Sequence, residues 1–220
     1  MESGPNGMRA LVTGGASGIG RATALALAAD GVAVAVADRN DSRGTVAAIA
    51  ARGVTAHGIV CDVAEETDVV RMVADAAAAL GGLDLHVNNA AGTWHEPLMH
   101  LIRAAWEKTM ATNVAASVFA CREAGRLFVG QRRGAIVAIG STATVSAQPR
   151  ETAYRASKAA LKDHVEVAAV ELSPFGVRVN MVAPGSTGTE LLVGGGLHLR
   201  PMFYRSDAAL VALSFRGAGA

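Results

Sequence analysis

The sequence predicts an α/β fold in which a doubly wound parallel sheet carries helices on both faces. Three observations predict it: short runs rich in Val, Ile and Ala recur at strand length, segments of helical length separate them, and glycine or proline stands at most of the junctions. Runs apolar on both faces suit a buried parallel sheet, and a helix between successive strands supplies the crossover such a sheet requires.

Residues 1–7, MESGPNG, are polar and rich in turn formers, and read as a flexible tail. The strands are predicted at 9–12, 32–37, 56–60, 83–87, 135–139 and 177–182. Helices are predicted between them, at 19–30, 42–52, 65–80, 104–129 and 152–172. Their stops are Gly31, Gly53, Gly81-Gly82, Gly130 and Ser173-Pro174, residues that helix C-termini favour. After Pro184 the alternation ends, and Gly194-Gly195-Gly196 leads into a weakly periodic stretch over 197–220. No linker or repeat divides the chain, so 8–189 is expected to form one domain, with 190–220 an atypical C-terminal segment of it.

Composition removes several classes of function. Of 220 residues, 51% are apolar and 18% charged, which excludes intrinsic disorder. Aromatics at 4% argue against base stacking, and a net charge of +1 leaves no basic stripe for nucleic acid or anionic lipid. Cys61 and Cys121 stand far apart, without the spacing of a disulfide framework or a zinc site. No uncharged apolar stretch approaches the ~20 residues of a membrane span, and the first ten residues lack the core of a secretory signal. A cytoplasmic protein is expected, with neither nucleic acid nor membrane as a partner.

The first strand ends in Thr13-Gly14-Gly15-Ala16-Ser17-Gly18-Ile19-Gly20, directly before a helix. Glycines there let the backbone turn tightly and approach a pyrophosphate, whose charge the helix N-terminus stabilises. The second strand leads to Asp38, which at that distance can accept hydrogen bonds from an adenosine ribose diol and repel a 2′-phosphate. Arg39 is the opposing charge, since it could pair with such a phosphate. Asp62 has two local readings: a helix cap paired with Glu65 in a D-x-x-E box, or a side chain facing the adenine ring. Asn88-Asn89-Ala90-Ala91-Gly92 closes the fourth strand with small residues that leave room beside a cofactor.

Tyr154-Arg155-Ala156-Ser157-Lys158 lies on a predicted helix, where positions i and i+4 share a face. A phenol ordinarily titrates near 10; a shift of about 3 pH units toward neutrality requires about 4 kcal/mol of preferential stabilisation of the phenolate. A lysine at i+4 is the cation that can supply it. His95-Glu96-Pro97-Leu98-Met99-His100 mimics a zinc-protease motif, but its histidines are i,i+5 and Pro97 disfavours a helix, so no metal is expected there.

TGGASGIG, Asp38, NNAAG, Asn113, Ser141 thirteen residues before Tyr154, YRASK and Pro184-Gly185 together resemble the short-chain dehydrogenase/reductase family over 8–189. The resemblance implies a Rossmann-type fold and NAD(P)-dependent hydride transfer between a nicotinamide and an alcohol or carbonyl compound. It implies Tyr154 as general acid/base, Lys158 as the cation lowering its pKa and holding the nicotinamide ribose, Ser141 on the substrate oxygen, and Asn113 in a proton relay through water to Lys158. It assigns Gly14, Ser17, Gly18, Ile19 and Gly20 to the pyrophosphate turn, Asp38 and Arg39 to the adenosine ribose, and Asp62 and Val63 to the adenine. Asn89 and Ala90 would flank the cofactor, with Pro184, Gly185, Thr187 and Thr189 near the nicotinamide carboxamide. NAD is expected over NADP, and a homodimer or homotetramer is implied through the helices at 104–129 and 152–172. Trp94 or His95 would lie beside the substrate mouth.

Pro184-Gly185-Ser186-Thr187, Thr189 and Gly140-Ser141 are most similar to 2,3-dihydro-2,3-dihydroxybenzoate dehydrogenases, which implies a cyclic diol such as a dihydrodiol acid. Arg150 is a partner for its carboxylate, though two residues from the position that subfamily uses. A 3-oxoacyl thioester, sugar or steroid substrate would share every catalytic residue. Against the family's plan, 190–220 leaves the seventh strand and the substrate lid missing or atypical, so a truncated nucleotide-binding protein without turnover is the alternative.

Overall fold

A computed structural model describes residues 7–145, 147–185 and 187. Six strands, β1 (Arg9–Thr13), β2 (Ala33–Asp38), β3 (Ala56–Val60), β4 (Leu85–Asn88), β5 (Gly134–Ile139) and β6 (Val177–Val182), form one parallel sheet in the order β3-β2-β1-β4-β5-β6. The helices are α1 (Gly18–Ala29), α2 (Arg43–Ala50), α3 (Glu66–Leu80), α4 (Arg103–Met110), α5 (Ala116–Gln131) and α6 (Thr152–Leu172). The doubly wound Rossmann-type architecture read from the sequence is the one observed.

Because side chains alternate along a strand, β1 feeds two cores at once. Ala10 and Val12 join Leu27 of α1 and Ile49 of α2 on one face, whereas Leu11 joins Met72 of α3, Phe128 of α5 and Leu161 of α6 on the other. The strand order reverses direction between β1 and β4. Loops leaving their C-terminal ends go to opposite faces and open a crevice, the ligand position of such sheets.

Two local expectations are corrected. β3 is not apolar on both faces: it is an outer strand in which only Ile59 is buried and Val60 is 72% exposed. The helix predicted at 104–129 is divided by a π-helical segment, Ala111–Ala115, and runs past Gly130 to Gln131, where Arg132 takes the left-handed cap at φ 52°. The seventh-strand and lid expectations, with Thr189, lie outside the described residues. As Pro97 implied, the His95–His100 stretch holds no α-helix, only a 3₁₀ turn at Leu98–His100.

His86 on β4 is fully buried, and neither ring nitrogen has a hydrogen-bond partner among the described residues. Burial pushes its pKa down from 6.5 to about 4, against the Leu11 backbone, which acts in the opposite direction. Between those pH values the unfolded chain binds a proton that the folded chain refuses. Stability supplied by the neutral ring is therefore complete above about pH 6.5 and is lost as pH falls toward 4, by about 3 kcal/mol. Urea denaturation at pH 7 and pH 5 should show the loss, and His86→Leu should flatten it.

Candidate active site

The crevice is built from the ends of β1 and β4 upward. Thr13 closes β1, and its Oγ1 accepts hydrogen bonds from the Asn89 and Ala90 amides at 3.0 and 3.1 Å. Asn89 returns the contact: its Nδ2 donates to the carbonyls of Thr13 and Gly14 at 2.9 and 3.1 Å. These bonds lock the glycine turn to the NNAAG loop. Gly14 has φ 64°, and a Cβ there would stand 2.8 Å from Asn89 Nδ2. At Gly20 a Cβ would meet the Gly14 carbonyl at 2.1 Å. Only glycine fits either position.

A cleft of about 410 Å³ opens above this cradle. Ser17, Gly18 and Ile19 line it at the start of α1, with Asp38, Arg39, Asp62 and Val63 at the ends of β2 and β3, and Asn89 and Ala90 on the far wall. Asp38 also performs structural work. One carboxylate oxygen accepts the Ala16 amide at 3.0 Å and the other the Asn40 amide at 2.9 Å, so it holds the glycine turn against β2. The Asp62–Glu65 capping box does not form: Asp62 Oδ1 accepts the Ala64 amide, while Asp68 reaches back to the Asp62 amide at 3.0 Å. Helix α3 starts one residue later than predicted, which puts Glu65 outside it and Asp68 in its first turn.

On the β5 side, Glu151, Tyr154, Arg155 and Lys158 follow the i, i+3, i+4, i+7 spacing of one face of α6. Lys158 is 3% exposed, and its ammonium donates to the Ile139 carbonyl at 2.8 Å. Burial lowers its pKa from 10.5 to about 8. The ammonium lies 5.8 Å from the centroid of the Tyr154 ring. The expected lowering of the phenol is not what this arrangement produces. Burial raises the Tyr154 pKa, a hydrogen bond with Ser141 opposes that, and the charge of Glu151 adds to it. Ser141 Oγ also accepts the Ala143 amide at 3.0 Å, and Thr142 N–H donates to the Pro184 carbonyl at 3.0 Å, which ties this loop to the end of β6. Gly185 accepts from Thr187 Oγ1 at 3.1 Å.

Asn113 sits in the π segment, buried. Its side-chain amide is engaged with both backbone groups of Gly92, accepting at 2.8 Å and donating at 2.9 Å, and it also donates to Ser157 Oγ at 3.0 Å. Ser157 Oγ in turn donates to the Tyr154 carbonyl at 2.6 Å. These contacts clamp the NNAAG loop to α6. The extra residue of a π turn is a common device for aiming a functional side chain. Thr13, Ser157 and Ile139 were missed by sequence reasoning. The first two lie inside motifs already singled out, but the role of a carbonyl such as that of Ile139 has no signal in side-chain identity.

Comparison with known proteins places this geometry. A family model described as short chain dehydrogenase matches residues 8–194. A 2,5-dichloro-2,5-cyclohexadiene-1,4-diol dehydrogenase of Sphingobium indicum is 40% identical over 190 residues, covering 85% of this chain and 75% of the relative. A 3-oxoacyl-acyl-carrier-protein reductase of Staphylococcus aureus is 37% identical over 180 residues, covering 80% and 73%. A short chain dehydrogenase from Burkholderia cenocepacia, solved in complex with NADP, superposes with a TM-score of 0.80 at 38% identity, over 86% of this chain and 78% of that one.

Proposed function

The chain belongs to the short chain dehydrogenase family of oxidoreductases, and from that premise we propose that it transfers hydride between NAD and a small alcohol or carbonyl compound, with a cyclic diol as the substrate type. The observation that carries the reading is the placement of Tyr154 and Lys158 on one face of α6, linked through Ser157 and Asn113 to a glycine cradle that tolerates no Cβ. The cradle and its cleft fit a dinucleotide: Gly14, Ser17, Gly18, Ile19 and Gly20 would hold the pyrophosphate, Asp38 the adenosine ribose, and Asp62 and Val63 the adenine. Asn89, Ala90, Pro184, Gly185 and Thr187 would flank the nicotinamide half. When bound, the dinucleotide supplies the hydride donor or acceptor.

The protein's own residues then handle the proton. Tyr154 Oη gives a proton to the substrate oxygen in reduction and takes it in oxidation. Ser141 Oγ holds that oxygen and stabilises its developing charge. The Lys158 ammonium, with one carbonyl acceptor among the described residues, has donors left for a ribose hydroxyl. Asn113 positions the NNAAG loop relative to α6. The cyclic diol is supported by the dehydrogenase of that type among the relatives. The 3-oxoacyl reductase marks the thioester alternative. Self-association through α5 and α6 is part of the same reading, supported by the exposed Leu127, Val167 and Val170, as is a cytoplasmic setting. Among the described residues no helix is long and apolar enough to cross a membrane.

Titrating NAD and NADP separately, then assaying a panel of alcohols and diols, tests the proposal. Binding without turnover of any of them would favour the nucleotide-binding alternative. Preference for NAD rests on the Asp38 carboxylate, with Arg39 at the same end of the cleft. Asp38→Ala should weaken NAD about tenfold and narrow its advantage over NADP. Asp38→Asn, which keeps an acceptor for the Ala16 amide, should lose less NAD affinity. Equal or tighter NADP binding by the unaltered protein would show that Arg39 prevails.

A further inference from the structure

We propose that Glu151 is a positioning residue for the proton step. Its buried carboxylate, three residues before Tyr154 on the same face of α6, disfavours the phenolate and sets how alkaline the solution must be before Tyr154 acts as a base. The proposal rests on the hydride-transfer reading above and deepens it. Glu151 directly precedes the first residue of α6 and is 7% exposed. Residues three apart on a helix are neighbours, so its charge bears on the phenol. A negative charge at the N-terminal end of a 21-residue helix is also favourably placed. Its ion-pair partner is Arg155, whose Nη1 lies 3.9 Å from Glu151 Oε2, beyond hydrogen-bond reach. That Nη1 is buried with no hydrogen-bond partner among the described residues. The pair is loose, and it cancels the Glu151 charge only in part.

The elements packed around this stretch of α6 supply little to offset that charge. The loop after β5 presents Ser141, a neutral hydroxyl hydrogen-bonded with the phenol. On α4, Arg103 is paired with Glu107, and the Lys108 ammonium lies over the Trp94 ring. The π segment Ala111–Ala115 carries no charged residue. Arg122, Glu123 and Arg126 of α5 pair with one another and with Glu66 of α3, and Arg178 of β6 stands exposed opposite Ala135 at the far end of the strand. In the loop after β4 the His95 ring shares a hydrogen bond with Thr93, and Arg150 is engaged by the His95 carbonyl. Lys158, four residues after Tyr154, is the remaining cation. Burial lets its proton go near pH 8, so its charge has gone in the range where a phenol titrates. Burial first, and then the Glu151 charge, raise the phenol there, against the Ser141 hydrogen bond. In reduction Tyr154 gives its proton to the substrate oxygen and is left as a phenolate, which the neighbouring carboxylate drives to take a proton back from solvent.

The chain has two tyrosines, so in a Tyr204→Phe background the ultraviolet absorbance of phenolate reports Tyr154 alone. At each alkaline pH at which circular dichroism shows the native fold, Glu151→Gln should contain more phenolate, equivalent to a downward shift of about 1 pH unit. Glu151→Asp, which keeps the charge, should shift less than half as far. Arg155→Met, which removes the counter-charge, should shift the titration upward. Opposite signs from two residues one turn apart do not follow from loosened packing. An unchanged or upward titration in Glu151→Gln, an equal downward shift in Glu151→Asp, or a downward shift in Arg155→Met would overturn the proposal. With NAD and a cyclohexadiene diol, the alkaline rise in kcat/KM for oxidation should move to lower pH in Glu151→Gln, in step with the absorbance. A rate profile that stays in place while the absorbance moves would remove Glu151 from the proton step. If the unaltered protein oxidises no alcohol or diol, it is the hydride-transfer reading that fails, and the absorbance titration still decides what Glu151 does to Tyr154.

Discussion

Tyr154→Phe should reduce turnover at least about a thousandfold while leaving NAD affinity within about twofold, because the substitution deletes one proton-carrying oxygen and little else. The ring stays, so the packing at the start of α6 is kept. The bonds that shape the cofactor cradle run through Thr13, Asn89 and Asp38, none of which touches the phenol oxygen. The split between the two readouts is the informative part. A joint loss of binding and turnover would mean that the site had been deformed, and retention of most activity would remove Tyr154 from the chemistry. The phenol's raised pKa adds a pH signature. Oxidation needs the phenolate as a base, so its rate should climb with pH from neutrality into the alkaline range, and reduction should not share the rise.

Lys158→Met should make the protein more stable and inactive. The ammonium is buried against a single carbonyl, without an ion-pair partner among the described salt bridges. Its folded pKa of about 8 lies below the ordinary 10.5. Between those values the unfolded chain holds a proton that the folded chain has released, so stability rises with pH across that window. The destabilisation is complete below about pH 8 and is gone above about 10.5. Removing the charge relieves about 3 kcal/mol at pH 7, from which the orphaned Ile139 carbonyl subtracts about 1–2, leaving a net gain of about 1–2 kcal/mol. For a chain of this size that is a rise in Tm of roughly 2–8 °C. The gain should shrink as pH is raised through the window, and turnover and cofactor affinity should both fall. A destabilised Lys158→Met would show that the charge is better compensated in the fold than its single partner implies. A residue kept at a cost to stability is the usual mark of a functional site.

Much of this was legible in the linear chain. The strand runs, the glycine turn, Asp38 at the end of β2 and the Tyr154–Lys158 spacing all follow from local period and local sterics, and each stands where it was expected. The failures have a common origin. A run such as 56–60 looks the same whether its strand is central or outermost, and only the position of β3 at the edge leaves Val60 in solvent. The Asp62–Glu65 box is a valid local pattern, yet Asp68 took the Asp62 amide once α3 began a residue later.

The sequence by itself determined the order of the elements along the chain and the glycine turn between β1 and α1, because periodicity and backbone freedom are properties of neighbouring residues. The tertiary structure decided what state the site's side chains are in. Lys158 is half deprotonated near pH 8 because β5 and α6 remove it from water. Asn113 became a clamp because a π turn in one helix brought its amide onto Gly92 and Ser157. Charge, burial and hydrogen-bond partnership depend on residues far apart in the chain, and they exist only once the sheet has brought those residues together.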